Sequence, residues 1–150
     1  MRRLRAQLLF GPSVHPVDLP RLRQAGVTAI LSLQQPGIDL PQTAIERMRV
    51  ACEPGIGFFN VGIHDYDPLA MIETMPIALR CLAELLDDGR IVYVHCTEGV
   101  NRAPSLALAH LVLHDGLDID RALSELRRCD AGAKPYEALV QWLRSTTRST

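Results

Sequence analysis

Lysine is nearly missing from this chain: Lys134 is the sole lysine among 16 basic residues. Arginine supplies the rest, 17 acidic residues offset them, and the formal net charge is −1. That balance argues against a polyanion or a charged membrane surface as a bulk partner, so no nucleic-acid partner is expected. Long apolar runs are missing too. The run after Arg2, Arg3 and Arg5 stops at Phe10 and meets Gly11-Pro12. It is too short for a signal-peptide core, and no stretch is long enough to span a membrane. Cysteine is sparse, and Cys52, Cys81, Cys96 and Cys129 have neither metal-ligand nor disulfide-framework spacing. A reduced, cytoplasmic protein is expected, with no metal or other cofactor. Aromatics are only 5% of residues. Phe10, Phe58, Tyr93 and Trp142 fall where a core would use them.

The chain holds no repeat, linker or low-complexity segment. Its length suits one domain covering residues 1–150, and a monomer is expected. Strand-like runs lie at Gln7 to Phe10, Val27 to Leu33, Phe58 to Ile63 and Ile91 to Val94. Helical patterns lie at Pro16 to Ala25, Thr43 to Ala51, Leu69 to Leu86, a stretch starting near Pro104, Asp120 to Arg128, and Pro135 to Leu143. Ser145 to Thr150 reads as a frayed polar tail. Alternating strands and helices predict an α/β fold with a central, mostly parallel sheet flanked by helices.

The most informative stretch is His95-Cys96-Thr97-Glu98-Gly99-Val100-Asn101-Arg102-Ala103-Pro104-Ser105. It reads as the end of a buried strand, a loop, and a helix start. A tight loop running into a helix N-terminus turns several backbone N–H groups toward one point, where a tetrahedral dianion can sit. Thr97, Glu98, Gly99, Val100, Asn101 and Arg102 would form that phosphate-binding loop. Arg102 adds a bidentate clamp that a lysine could not match. The same positive field favours thiolate at Cys96, and Gly99 gives the backbone its freedom. Such a site suits nucleophilic attack on phosphorus and a phosphocysteine intermediate. From ordinary residue frequencies, His-Cys-x-x-Gly-x-x-Arg arises by chance in such a chain on the order of once in several thousand. The catalytic reading therefore outweighs that of a buried cysteine and an unrelated surface arginine.

This motif resembles the active-site loop of the cysteine-dependent protein tyrosine phosphatases. Its place about two-thirds along a short chain is similar to the dual-specificity branch. The resemblance implies the single-domain dual-specificity phosphatase fold and hydrolysis of phosphate monoesters on phosphoprotein, at tyrosine, serine or threonine. It implies that His95 supports the loop through a backbone hydrogen bond, and that Glu98 can pair with Arg102. It also implies a general acid on the loop Val61 to Pro68, and position for position that lands on Asp65. Asp67 is the alternative, although Asp67 before Pro68 also reads as a helix cap. His64 is a third option. Asn101 can bond loop carbonyls. Cys52, Cys81 and Cys129 read as packing residues or as a redox partner for Cys96.

One position departs from the family pattern: Ala103 stands where most members carry Ser or Thr. The hydroxyl that eases phosphoenzyme breakdown is lost, unless Ser105 substitutes. A narrower resemblance is to the plant glucan (starch) phosphatases. It rests on Arg102-Ala103-Pro104, on Gly26-Val27-Thr28-Ala29-Ile30-Leu31-Ser32-Leu33-Gln34-Gln35, and on Asp65-Tyr66-Asp67. There Tyr66 would contact a sugar ring of a phosphorylated glucan. Three hypotheses stay open: an active phosphatase on protein or glucan, a weakly active phosphate-binding module, and a rhodanese-type sulfurtransferase. Gly99 and the upstream acid loop favour the phosphatase.

Overall fold

The computed structural model describes residues 1–148. Five strands form one sheet in the order β1-β2-β5-β3-β4. They are β1 (Arg2–Arg5), β2 (Leu8–Gly11), β3 (Ala29–Ser32), β4 (Gly57–Asn60) and β5 (Val92–His95). β1 is antiparallel to β2, and the other pairs are parallel. β5 is central and all four of its residues are buried, as an apolar, β-branched run with both faces covered requires.

Strand alternation divides the core in two. Phe10, Ala29, Leu31, Val92 and Val94 face the larger cluster. Leu9, Ile30, Phe58 and Tyr93 face the smaller one. The smaller side is covered by a 3-10 turn (Pro16–Asp18), α1 (Leu19–Gln24) and α2 (Gln42–Cys52). The larger side holds α3 (Pro68–Asp87), α4 (Arg102–Leu113), α5 (Ile119–Cys129) and α6 (Glu137–Arg148). α4 is buried from Arg102 through Val112. Its small and apolar residues allow neighbours on every side.

α3 starts where Pro68 fixes the first turn and the Asp67 side chain accepts a 3.0 Å bond from Ala70 N–H. Met71, Met75, Ala78, Leu82 and Leu85 form its buried stripe, while Leu69 is 69% exposed.

Two expectations need correction, and one strand had no sequence signal. β1 was not legible, because Arg2-Arg3-Leu4-Arg5 carries a charged pattern with one apolar side chain. Tertiary contacts hold it: Arg5 bonds Glu125 at 2.5 Å and Arg3 bonds the Ala25 carbonyl at 2.6 Å. Charged side chains also suit an edge strand. The third strand-like run shortens to Gly57–Asn60, because Val61 and Ile63 bond the carbonyls of Ser32 and Leu33, at and just past the end of β3, outside a regular ladder. The tail is helical to Arg148, and residues 149–150 lie outside the described residues.

Leu82→Ala should destabilise the protein by about 2–5 kcal/mol, since it empties a fully buried site. Leu69→Ala on the same helix should stay within about 0.5 kcal/mol. Urea unfolding of the two variants checks the contrast.

Candidate active site

The C-terminal edges of the parallel strands converge on the loop after β5, as ligand sites in such sheets do. Cys96 opens the loop and is 2% exposed. Three loop carbonyls are drawn away from its inside. The Thr97 carbonyl accepts from Ser13 N–H at 3.0 Å, and the Val100 carbonyl from Lys134 N–H at 2.7 Å. The Cys96 carbonyl is 3.0 Å from His95 Nδ1. In a trans peptide the N–H points opposite to the carbonyl, so the N–H groups of Thr97, Glu98 and Asn101 turn inward. Gly99 has φ +76, and a Cβ there would meet the Gly11 and Pro12 backbone at 2.5 Å. Only glycine fits that approach.

Arg102 begins α4 with its side chain 1% exposed. Nη1 donates to Asp39 Oδ2 at 2.8 Å, to the Ile63 carbonyl at 2.8 Å and to the Leu33 carbonyl at 3.4 Å. Nη2 donates to Asp39 Oδ1 at 3.0 Å and to Thr97 Oγ1 at 3.2 Å. It also lies 3.4 Å from Asp65 Oδ2. Nε is buried and has no protein acceptor. Burial alone would push the guanidinium toward neutrality, but the hydrogen bonds and charge of Asp39 outweigh it and hold its pKa above the ordinary value. The same contest runs the other way at Asp39. Burial would raise its pKa, but bonds from Arg102, Gln35 N–H and the Thr97 hydroxyl hold it below the ordinary carboxylate range.

Asp39 takes the place the resemblance gave to Glu98. Glu98 is exposed, and the guanidinium fork closes on Asp39 instead. Nothing in Pro36 to Pro41 beyond a loop composition announced this. The available signal was position: Asp39 follows β3, whose end shares the sheet edge with Cys96.

The two carboxylates of the upstream loop separate cleanly. Asp65 approaches Arg102, and its Oδ1 accepts from Tyr136 Oη at 3.1 Å and from Tyr66 N–H at 2.9 Å. Asp67 caps α3. His64 is exposed, with Nδ1 2.9 Å from the Asp65 carbonyl. Tyr66 has φ 58 and is 75% exposed beside Asp65. Tyr136 escaped the sequence reading as well. Its hydroxyl accepts from Tyr66 N–H at 2.9 Å, and its own N–H donates to Ser105 Oγ at 3.0 Å. It thereby ties the acid loop to α4. Burial, and then Asp65, push its pKa up to about 12, so it remains a phenol able to donate.

Ser105 thus faces Tyr136 and does not replace the missing hydroxyl at position 103. The Ala103 backbone N–H lies 3.4 Å from Cys96 Sγ. Asn101 bonds the Lys134 carbonyl at 2.8 Å rather than a carbonyl of its own loop. His95 is 2% exposed, and burial lowers its pKa to about 4, which keeps the ring neutral. All four cysteines are free thiols. Cys52 lies in the smaller core, across the sheet from Cys96. Burial raises the pKa of Cys52, Cys81 and Cys129, which blunts their reactivity.

A cavity of about 380 Å³ adjoins the loop, is lined by Thr97 from it, and reaches Gln34 and Asp39 after β3. Its far wall is apolar, with Val14, Leu40, Ile45, Met48 and Phe58. Among the described residues, no helix is long and apolar enough to cross a membrane.

Comparison with known proteins places the chain among relatives of similar sequence and fold. The chain is 29% identical over 135 residues to the amyloplastic phosphoglucan phosphatase DSP4 of Castanea sativa, covering 84% of this chain and 36% of that protein. It is 24% identical over 139 residues to the phosphatidylglycerophosphate phosphatase PTPMT1 of Arabidopsis thaliana, covering 90% of this chain and 40% of that one. The chain therefore spans well under half the length of these relatives. Among solved structures, Tk-PTP in the active form is similar in fold, with a TM-score of 0.77 at 20% identity, covering 99% of this chain and 97% of that one. Residues 16–149 match the family described as dual specificity phosphatase, catalytic domain, and the chain belongs to that family.

Proposed function

We propose that the protein is a cysteine-dependent phosphatase acting on phosphate monoesters of proteins. One observation carries the reading. Arg102, buried at the Cys96 loop, lies within reach of Asp65 and keeps an unpartnered Nε donor. A buried donor of that kind is costly unless an acceptor reaches it, and a phosphate oxygen is the acceptor this loop suits.

The chemistry then follows. Cys96 Sγ attacks phosphorus and the ester P–O bond breaks. Asp65 gives its proton to the departing oxygen. Arg102 and the inward N–H groups hold the remaining phosphate oxygens. In the second half, Asp65 takes a proton from water, the water oxygen bonds to phosphorus, and the S–P bond breaks. The Ala103 N–H stabilises the departing thiolate in place of the absent side-chain hydroxyl. No step needs a metal.

The apolar wall of the adjoining cavity favours a phosphorylated side chain with apolar neighbours. A second reading, a phosphoglucan substrate, has a specific observation in its favour: Tyr66 is exposed beside Asp65, where a sugar ring can stack on it.

The deciding experiment is phosphate release by wild type and Cys96→Ser, with chelator present. Its substrates are para-nitrophenyl phosphate, phosphopeptides, solubilised amylopectin and phosphatidylglycerophosphate. Release that depends on Cys96, with phosphopeptides preferred, is expected; preference for amylopectin would promote the second reading. Release by Cys96→Ser equal to wild type would reject the mechanism. Asp65→Asn should slow phenyl phosphate hydrolysis by about 10²–10⁴-fold and para-nitrophenyl phosphate much less, because a good leaving group needs no proton. Asp67→Ala should instead cost about 1 kcal/mol of stability through the lost cap. Asp39→Ala should cost about 3–5 kcal/mol, because Arg102 then keeps a buried charge without its partner. Thermal melting and a raised KM for phosphate esters check that effect. Tyr136→Phe should lower kcat for phenyl phosphate by about 2- to 10-fold, the equivalent of one hydrogen bond, with no comparable change for the para-nitrophenyl ester.

A further inference from the structure

α4 presents Arg102 at its first turn and a second group of chemistry-bearing side chains at its last. His110 and His114 stand one helical turn apart, and Asp115 follows directly. Asp115 Oδ1 lies 3.2 Å from His114 Nδ1 and 3.6 Å from His110 Nε2. One donor atom from each of the three residues falls within 4.8 Å of the others. Among the described residues, this is the single His/Cys/Asp/Glu group so arranged.

We propose that the C-terminal end of α4 binds a zinc-class divalent cation through His110 Nε2, a ring nitrogen of His114 and the Asp115 carboxylate. Four independent features favour it. The His-x-x-x-His spacing puts both rings on one helix face, a recurrent arrangement for zinc. Two imidazoles and one carboxylate suit a borderline cation better than magnesium or calcium, which take oxygen ligands. The final carbonyls of a helix carry partial negative charge, which attracts a cation. Finally, Asp87 at the end of α3 lines the same cavity, which measures about 360 Å³. Arg5 lines it as well, but its guanidinium bonds Glu125.

The residues are differently anchored. His110 is 3% exposed and fixed by packing. The His114 side chain is 45% exposed. In the structure the two rings stack at 4.6 Å with 16° between their planes. Lone pairs in near-parallel planes do not meet at one ion, so His114 must swing about its side-chain torsions to close the site. Solvent water would complete the coordination. The site lies eight residues along α4 from Arg102, roughly 12 Å, and is separate from the phosphate chemistry.

The test titrates metal-stripped Cys96→Ser protein with Zn²⁺ by calorimetry and repeats it with Co²⁺, followed by visible absorption. The serine variant removes the active-site thiolate as a competing ligand. One Zn²⁺ per chain, a raised Tm and a Co²⁺ ligand-field band are expected. His114→Ala and Asp115→Ala, both at exposed positions and checked for folding by circular dichroism, should each weaken binding by at least about tenfold. Absence of saturable binding would overturn the proposal. So would binding of unchanged strength in both variants, which would mean an adventitious ion only.

Discussion

A guanidinium withdrawn almost entirely from water has to be neutralised where it sits, and the Arg102–Asp39 pair meets that demand. Desolving two such charges costs several kcal/mol per ion, which a pair recovers only with good geometry and further hydrogen bonds. Here the geometry is a two-pronged fork, and Leu33, Ile63 and Thr97 add acceptors. Those partners come from segments following β3, β4 and β5. The buried pair therefore gathers three strand ends and fixes the edge of the sheet around Cys96. Asp65 reaches the same guanidinium from its own loop, so the groups proposed for clamping and proton transfer share one anchor.

The helix behind that anchor works through both of its ends. Burial of α4 from Arg102 through Val112 leaves it little freedom to shift, which suits a loop whose N–H groups must stay aimed at one point. Its N-terminus adds positive potential at the anion loop, and its C-terminus gathers two histidines and an aspartate. Gly99 lets the loop lie against Gly11 and Pro12, so the β2 end braces the loop from outside. Tyr136 braces the acid loop in turn, bridging Asp65 and Tyr66 to Ser105 on α4. Tyr66 has positive φ without being glycine, a conformation this clasp helps to hold.

The site was partly legible because its signal is local. His95 to Arg102 is contiguous, and the chemistry of thiol, glycine and guanidinium dictates their spacing. The central strand and the long helix α3 were equally plain, since period and apolar content agree over enough residues. Asp67 as a cap could be read from the proline behind it. Asp39 and Tyr136 could not be read this way, for each acts on a residue more than sixty positions distant in sequence. β1 was hidden for a related reason: its strand character comes from pairing with β2 and from Arg5 meeting Glu125, while its own residues carry no strand pattern.

What the sequence determined alone was the α/β alternation and the contiguous strand–loop–helix run that carries Cys96, Gly99 and Arg102. All are set by short-range periodicity and by residue types that backbone geometry admits. What only the tertiary structure decided was the partner of Arg102, the separation of Asp65 from Asp67, and the meeting of His110, His114 and Asp115 in a shared cavity. These depend on where strand ends and helix ends come to rest in space. That placement follows from packing two cores against one sheet and from neutralising a buried charge, neither of which a local pattern encodes.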